Sequence, residues 1–479
     1  MQSGPRLATV LSFALGLSFC ANGSAVAQQT APRPNIVYIL ADDLGWKDVG
    51  FNGSDILTPN IDNLANNGAR FSQFYVQSMC TPTRAALMTG RYPLRYGLQT
   101  LVIMAGMNFG LPTDEWLLPQ ALGTAGYRSA ILGKWHLGHA KREFWPMQRG
   151  FEYQYGAQLG EIDYFTRMMG GKTDWYKNNK VLNENGYVTT LIGDDAVRYV
   201  NEQERGKPFF MYLAFTAPHT PYQAPKEYLD KYSHIADVNR RAYAAMITAM
   251  DDQIGRVVQA LEKKGLRENT LIVFHSDNGG NRAKLLSGES EVKGDLPADN
   301  GPYRGGKGDL YEGGTRVAAV VNWPGKIAPR VVDGMIHIVD MYPTLARLAG
   351  ASVSNSKPLD GMDMWDTIAA GQPSPRTEIV YNVELFRGAV RQNDWKLVWR
   401  SVLPERVELF NLRDDVSEKI NLAAQNPDKV RELRSRIDEL AGQMAKSMLL
   451  TEVFQSVSKG LTGQTPALPN EDAFYERAD

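Results

Sequence analysis

Cysteine is nearly absent: only Cys20 and Cys80 occur among 479 residues. A disulfide-stapled scaffold is therefore excluded. No Lys/Arg-rich tract appears and the formal net charge is −1, so the basic footprint of a nucleic-acid binder is missing. Beyond the N-terminus no apolar run is long enough to span a bilayer as a helix. Internal repeats and low-complexity tracts are also lacking. What remains is ordinary globular material, 43% hydrophobic and 22% charged. The length suits two or more domains, or one large α/β domain with an appendage.

The N-terminus has its own pattern. "LATVLSFALGLSF" (residues 7–19) is short and apolar and follows Arg6. Behind it, "ANGSAVAQQ" spaces Ala25 and Ala27 as a small-x-small cleavage site. Residues 1–27 thus read as a secretory signal peptide, cut after Ala27. The mature protein is expected to be exported, periplasmic or secreted, with no stable membrane insertion. The alternatives are an anchor that is never removed and lipid attachment at Cys20. Against the latter, Phe19 is bulky where such signals usually carry a small residue. Cleavage leaves Cys80 as the sole thiol, either buried filler or a reactive group.

From there the chain alternates. "PNIVYILADDLG" (34–45) is a β-branched apolar run ending in two carboxylates, the mark of a buried parallel strand. "TPNIDNLANNG" (58–68) reads as a helix with a Thr cap, Pro at its first position and a closing Gly. "RFSQFYV" (70–76) reads as a strand and "TPTRAALMTG" as a short helix. Further strands are expected in 128–138, 207–222, 270–280 and the "TRVAAVVNWPG" run. Helices are expected in 116–126, 239–266 and the "DMYPTLARLAG" run. The fold class is α/β: a large mixed, mostly parallel sheet sandwiched by helices, over residues 28–374. Residues 375–479 change texture. Short antiparallel strands in 389–400 and 406–412 and a helix in 426–447 form a smaller C-terminal α+β subdomain, with a loosely ordered tail after about 460.

Ligands of open α/β sheets sit beyond the carboxyl ends of the strands. The polar clusters fall there: Asp42 with Asp43, Lys134 with His136, His219, and Asp277 with Asn278; Cys80 and Arg84 follow another strand. Singly each is weak. A "DD" is often a solvated turn, a lone His is usually structural, and "SDNGG" is ordinarily a turn. Repetition of the same theme at every strand end is what points to a site. Asp42, Asp43, Asp277 and Asn278 offer oxygen ligands only, the set for Ca²⁺ or Mg²⁺ rather than zinc. Arg84, Lys134, His136, His219 and Lys307 add cations and proton carriers. A hard cation plus such groups suits a multiply oxygenated anion, sulfate or phosphate.

"CTPTR" (80–84), continued by "GRYPLRYG", resembles the C-x-P-x-R signature of the type I sulfatases of the alkaline phosphatase-like superfamily. "GKWHLG" (133–138) resembles their second signature. "DDLG", "PHTPY", "SDNGG" and "KGDLYEGGTR" also resemble the family's motifs and stand in its order. "RGFEYQYG", "KPLDGMDMWDTI" and "SPRTEIVYN" look most like the arylsulfatase B branch, the N-acetylgalactosamine-4-sulfatases. The resemblance covers nearly the whole mature chain and makes 28–374 the catalytic domain.

The resemblance implies that Cys80 is oxidised to formylglycine by a maturation enzyme that reads Pro82 and Arg84 in the unfolded chain. The aldehyde hydrate would be the nucleophile. Its second hydroxyl lets sulfate leave by carbon–oxygen cleavage, so one hard step becomes two easier ones. Asp42, Asp43, Asp277, Asn278 and residue 80 match the Ca²⁺ ligands. Arg84 and Lys134 match the groups holding the hydrate, and His136 matches the base for sulfate release. His219 and Lys307 match the pair at the leaving oxygen. His275 is read as structural, since strand alternation turns it to the other face; His139 is either pocket lining or surface. The substrate would be an aryl sulfate or a sulfated hexosamine or galactose of a glycan. The competing readings are a phosphonate or phosphate monoester hydrolase of the same superfamily, and a non-catalytic sulfosugar-binding protein if Cys80 is not oxidised.

Overall fold

The computed structural model describes residues 1, 4, 33–284, 292–401 and 404–461. The expected signal peptide and the tail after 461 lie outside these residues. In chain order the strands are β1 (Asn35–Ala41), β2 (Ala69–Phe71), β3 (Phe74–Tyr75), β4 (Arg128–Gly133), β5 (Tyr153–Gly156), β6 (Met168–Met169), β7 (Lys172–Thr173), β8 (Tyr176–Lys177) and β9 (Lys180–Val181). They continue with β10 (Phe209–Ala214), β11 (Thr270–Ser276), β12 (Ala319–Asn322), β13 (Arg330–Val332), β14 (Ile336–His337), β15 (Glu378–Glu384), β16 (Arg387–Gln392), β17 (Trp395–Arg400) and β18 (Arg406–Asn411).

The large sheet runs β13-β2-β12-β11-β1-β10-β4-β5-β8-β9. Its centre, from β11 through β1, β10 and β4 to β5, is parallel, whereas β12, β8 and β9 pair antiparallel. The mixed sheet expected from the sequence is therefore present. Strand β1 shows why it is sandwiched. Ile36, Tyr38 and Leu40 enter one apolar cluster, while Val37, Ile39 and Ala41 enter the other. Alternation places successive side chains on opposite faces, so an unbroken apolar run demands cover on both. The helix Val238–Lys264 covers one face through Met246, Ile247, Met250 and Ile254. The helices Cys80–Thr89 and Met341–Ala349 cover the other.

Two readings need correction. Residues 70–76 are not one strand. They divide into β2, inside the large sheet, and β3, which pairs with β14. Ser72 N–H donates to Val332 O and Gln73 O accepts from Ile336 N–H, so the backbone stays satisfied while it crosses between sheets. The run 128–138 is strand only as far as Gly133. There φ is +106°, and a Cβ would lie 1.9 Å from Ala214 O. Only glycine permits that turn, and it lifts residues 134–138 out of the sheet. The helix Met448–Leu461 is an addition that the sequence reading lacked.

The small antiparallel sheet β15-β16-β17-β18 carries the helix Pro427–Gly442, packed through Leu433, Ile437 and Leu440. It is tied to the rest by a buried charge cluster. Lys396 Nζ, fully buried, lies 2.9 Å from Glu312 and 2.8 Å from Glu418. One cation serves two desolvated carboxylates unequally. Lys396 and Arg316 overcome burial to hold Glu312 down at about 2, while burial pushes Glu418 up to about 7. Removing the ammonium leaves Glu418 without its cation and Glu312 with Arg316 at 3.4 Å as its ion-pair partner, and breaking a buried ionic cluster costs about 3–5 kcal/mol. Lys396→Met is expected to lose stability on that scale in urea unfolding, whereas the exposed Lys207→Met should shift the midpoint little.

Candidate active site

Parallel pairing brings distant strand ends to one edge. Ala41 pairs with Ser276, Leu40 with Ala214 and Ala214 with Gly133. The next residues, Asp42 and Asp43, Asp277 and Asn278, and Lys134, are thereby neighbours. Two of these turns use left-handed backbone at non-glycine residues, Asp43 (φ +64°) and His136 (φ +61°). Such strain of order 1–3 kcal/mol per residue persists where surrounding contacts over-determine it. Cys80 opens the helix Cys80–Thr89, every residue of which is buried.

Arg84 binds the pieces together. Its Nε and Nη2 donate to Asp277 Oδ2 at 3.0 and 2.8 Å, and its Nη1 donates to Lys134 O at 3.0 Å. Asp42 Oδ2 receives Lys134 Nζ at 2.5 Å and lies 3.7 Å from Arg84. Asp43 Oδ2 receives Lys307 Nζ at 2.9 Å, and Asp43 Oδ1 accepts from Asn278 Nδ2 at 2.8 Å. Burial works to raise Asp43, but Lys307, His219 and Asn278 outweigh it and hold the carboxyl at about 2. Asp277 moves the other way, raised by burial and by the charge of Asp42.

The histidines have defined tautomers, because a carbonyl can only accept. His136 Nε2 sits 3.0 Å from Ile103 O, so it carries the hydrogen. Nδ1 is left as a buried lone pair without a hydrogen-bond partner among the described residues. His219 is arranged in reverse. Nδ1 donates to Thr220 O at 2.7 Å, and Nε2 faces Lys307 Nζ at 3.2 Å and Asp43 Oδ2 at 3.6 Å. Burial, then neighbouring cations, lowers both histidines. Cys80 Sγ is 3.5 Å from Asp42 Oδ1. Burial and the charge of Asp277 push the thiol well up, so an unmodified Cys80 is a poor nucleophile.

Every residue given a catalytic or metal-binding role in the sequence lies here. Asp42, Asp43, Cys80 and His219 have ligand atoms within 4.8 Å of one another. Asp277 stands just outside that group, one oxygen taken by Arg84. Asn278 Oδ1 is buried and unbonded, an oxygen available to a cation. Buried carboxylates around an orphan amide oxygen fit a hard divalent ion, with oxygen ligands and no requirement for sulfur or nitrogen. His275 is buried between β1 and β3, its Nε2 2.7 Å from Tyr38 Oη and its ring against Phe74, a structural position.

A cavity of about 240 Å³ opens onto Cys80, His136, His219 and Lys307. Sequence reasoning missed its other walls: Ile103, Met104, residues 159–161 and Met169. Apart from Glu161 they carry no polar signature, and only folding brings them to the strand ends. It also missed two supports. Thr81 Oγ1 donates to His136 O (3.0 Å) and accepts from Ile103 N–H (3.2 Å). Gly160 packs on His136 so closely that a Cβ would lie 2.3 Å from Cε1.

The Sulfatase family model matches residues 34–351. The chain belongs to the sulfatase family, of alkaline phosphatase-like fold, and is a sulfuric ester hydrolase of the arylsulfatase type. Arylsulfatase J of Mus musculus is 33% identical over 463 residues, 85% of this chain and 75% of that protein. N-acetylgalactosamine-6-sulfatase of Mus musculus is 35% identical over 376 residues, 73% and 69% of the two chains. Among solved structures, Ps i-CgsB in complex with k-i-k-neocarrahexaose superposes with a TM-score of 0.80 at 34% identity, covering 93% of this chain and all of the other. These relatives do not single out the 4-sulfatase branch.

A ligand that binds only the folded state stabilises it by about 2.7 kcal/mol at a hundredfold excess over Kd. Ca²⁺ added to chelator-treated protein is therefore expected to raise the melting temperature without substrate. Asp43→Asn should abolish that rise. Stabilisation by Zn²⁺ but by neither Ca²⁺ nor Mg²⁺ would contradict the oxygen-ligand assignment.

Proposed function

We propose that this chain hydrolyses sulfate esters of a galactose- or hexosamine-containing glycan, through formylglycine made from Cys80 and with Ca²⁺ bound beside it. The observation that carries the reading is Cys80 at a cavity floor ringed by Arg84, Lys134 and Lys307, within an intact C-x-P-x-R segment. The glycan is supported by the relatives, one named for N-acetylgalactosamine 6-sulfate and one solved with a carrageenan-type hexaose. The same reading includes a maturation enzyme acting on residues 80–84 and export after cleavage at Ala27. The phosphonate hydrolase and non-catalytic alternatives are not favoured, since the family matches are to sulfatases and every charged group is in place.

When present, the hydrated aldehyde would supply the nucleophilic oxygen and the cation would polarise the sulfate. The chain's own residues do the rest. Lys134 and Arg84 concentrate positive charge at residue 80, and Lys307 adds a cation where the leaving oxygen is expected. His219 Nε2 accepts from the Lys307 ammonium at 3.2 Å, so the pair can hand that oxygen a proton drawn from Lys307. His136, its Nε2–H fixed by Ile103 O, offers Nδ1 to accept a proton from residue 80 as sulfate departs. Residues 102–105 and 159–161 enclose the reacting atoms and limit water access.

Peptide mass spectrometry of active protein is expected to show the loss that converts a thiol to an aldehyde at Cys80. Cys80→Ala should keep the fold and the Ca²⁺-dependent melting shift while abolishing turnover; full activity with an unmodified thiol would refute the mechanism.

The two histidines are expected to fail differently. A general acid matters most for a poor leaving group and contributes roughly a hundredfold or more. His219→Ala should lose at least that on a sulfated sugar and far less on a nitrophenyl sulfate. His136→Ala should slow both substrates alike and stop after releasing alcohol stoichiometric with enzyme. Equal losses on both substrates for His219→Ala, with no such burst for His136→Ala, would reverse the assignment.

A further inference from the structure

The catalytic cavity shares walls with two others. On one side Ala105, Leu159 and Met169 also line a second cavity, of about 140 Å³. Its farther walls include His139, Lys172 and Asp174, with Trp145 and Tyr176 set edge to face at 5.3 Å. On the other side Glu161 and Met169 also line a third cavity, of about 510 Å³, bounded by Asp163, Tyr222 and Asn239. Residues 159–161 thus wall the catalytic cavity, with Leu159 shared by one flank and Glu161 by the other. The hairpin of β6 and β7 places Met169 at the junction of all three.

The centre carries the groups that meet the sulfate, and the flanks add further polar groups beyond it. Around Cys80 the apolar wall of Val102, Ile103 and Met104 faces His136, His219 and Lys307. One flank adds an imidazole, an ammonium and a carboxylate beside aromatic rings, and the other adds a phenol, amides and carboxylates, the mixture that receives a ring bearing hydroxyls. The centre alone falls below the roughly 300–1,000 Å³ of ligand pockets, so it suits a sulfate and the ring bearing it. An enzyme restricted to a terminal sugar needs a wall behind that sugar, whereas here two further cavities adjoin the central one.

We infer that the sulfate removed sits on an internal residue of a glycan, with neighbouring sugars in both flanking cavities. His139, left between pocket and surface by the sequence, lines one of them. The inference rests on the sulfatase reading of the central cavity.

The test compares trisaccharides of galactan and glycosaminoglycan type, each sulfated on the middle residue, with the same sulfated sugars alone or at the non-reducing end, and with 4-nitrophenyl sulfate. Binding energy from remote sugars is expected to raise kcat/KM for one mid-sulfated trisaccharide about tenfold or more over its monosaccharide and terminal forms. Lys172→Ala and Tyr222→Ala, one per flank, should each lower the trisaccharide-to-nitrophenyl ratio by about tenfold. Turnover of nitrophenyl sulfate with equal or better use of the single or terminal sugars, with use of neither trisaccharide, or with unchanged ratios in both variants would overturn the inference and leave the sulfatase reading standing. No sulfate release from any substrate would overturn both.

Discussion

The contact on which the rest depends is the buried clamp between Arg84 and Asp277. A guanidinium taken fully out of water is tolerable only with its donors satisfied. Here they engage Asp277 and the Lys134 carbonyl, with Asp42 close by. One side chain thus ties the helix bearing Cys80 to the ends of β11 and β4. The planar fork fixes direction as well as charge, which a lysine at this position would not do.

Around that clamp positive and negative groups interleave so that none is buried alone. Lys134 faces Asp42, and Lys307 faces both Asp43 and His219. The arrangement holds three carboxylates near one point, a costly gathering in a dry interior. A bound cation would relieve that repulsion. The left-handed backbone at Asp43 and His136 belongs to the same construction, since it aims side chains that regular strand geometry would send elsewhere.

The small sheet contributes more than bulk. Lys396 holds Glu312, which lies in the segment that begins at Lys307. Arg387 Nη1 donates to Gly308 O at 2.6 Å, and Gly308 N–H donates to Ser78 O at 2.7 Å, two residues before Cys80. A path of short polar contacts therefore runs from the C-terminal sheet to both the nucleophile position and the cation beside it. It fixes where Lys307 can stand.

The residues themselves determined the polar cast: Asp42, Asp43, Lys134, His136, His219, Asp277 and Asn278 each follow an apolar strand run, and parallel strands must deliver their ends to one edge. The lone Cys80 beside Pro82 and Arg84 was equally plain, because that segment is local and does not depend on folding to be read. What only the tertiary structure decided is the shape around them. The division of residues 70–76 between two sheets, the end of β4 at Gly133, the hydrogen-bonding of His136 to Ile103 O and the cavities meeting at Met169 all arise from contacts between segments far apart in the chain. Apolar and glycine positions such as Ile103, Gly160 and Met169 carry no chemical mark of their own. Their role comes from what packing places beside them, and that is set by the fold as a whole.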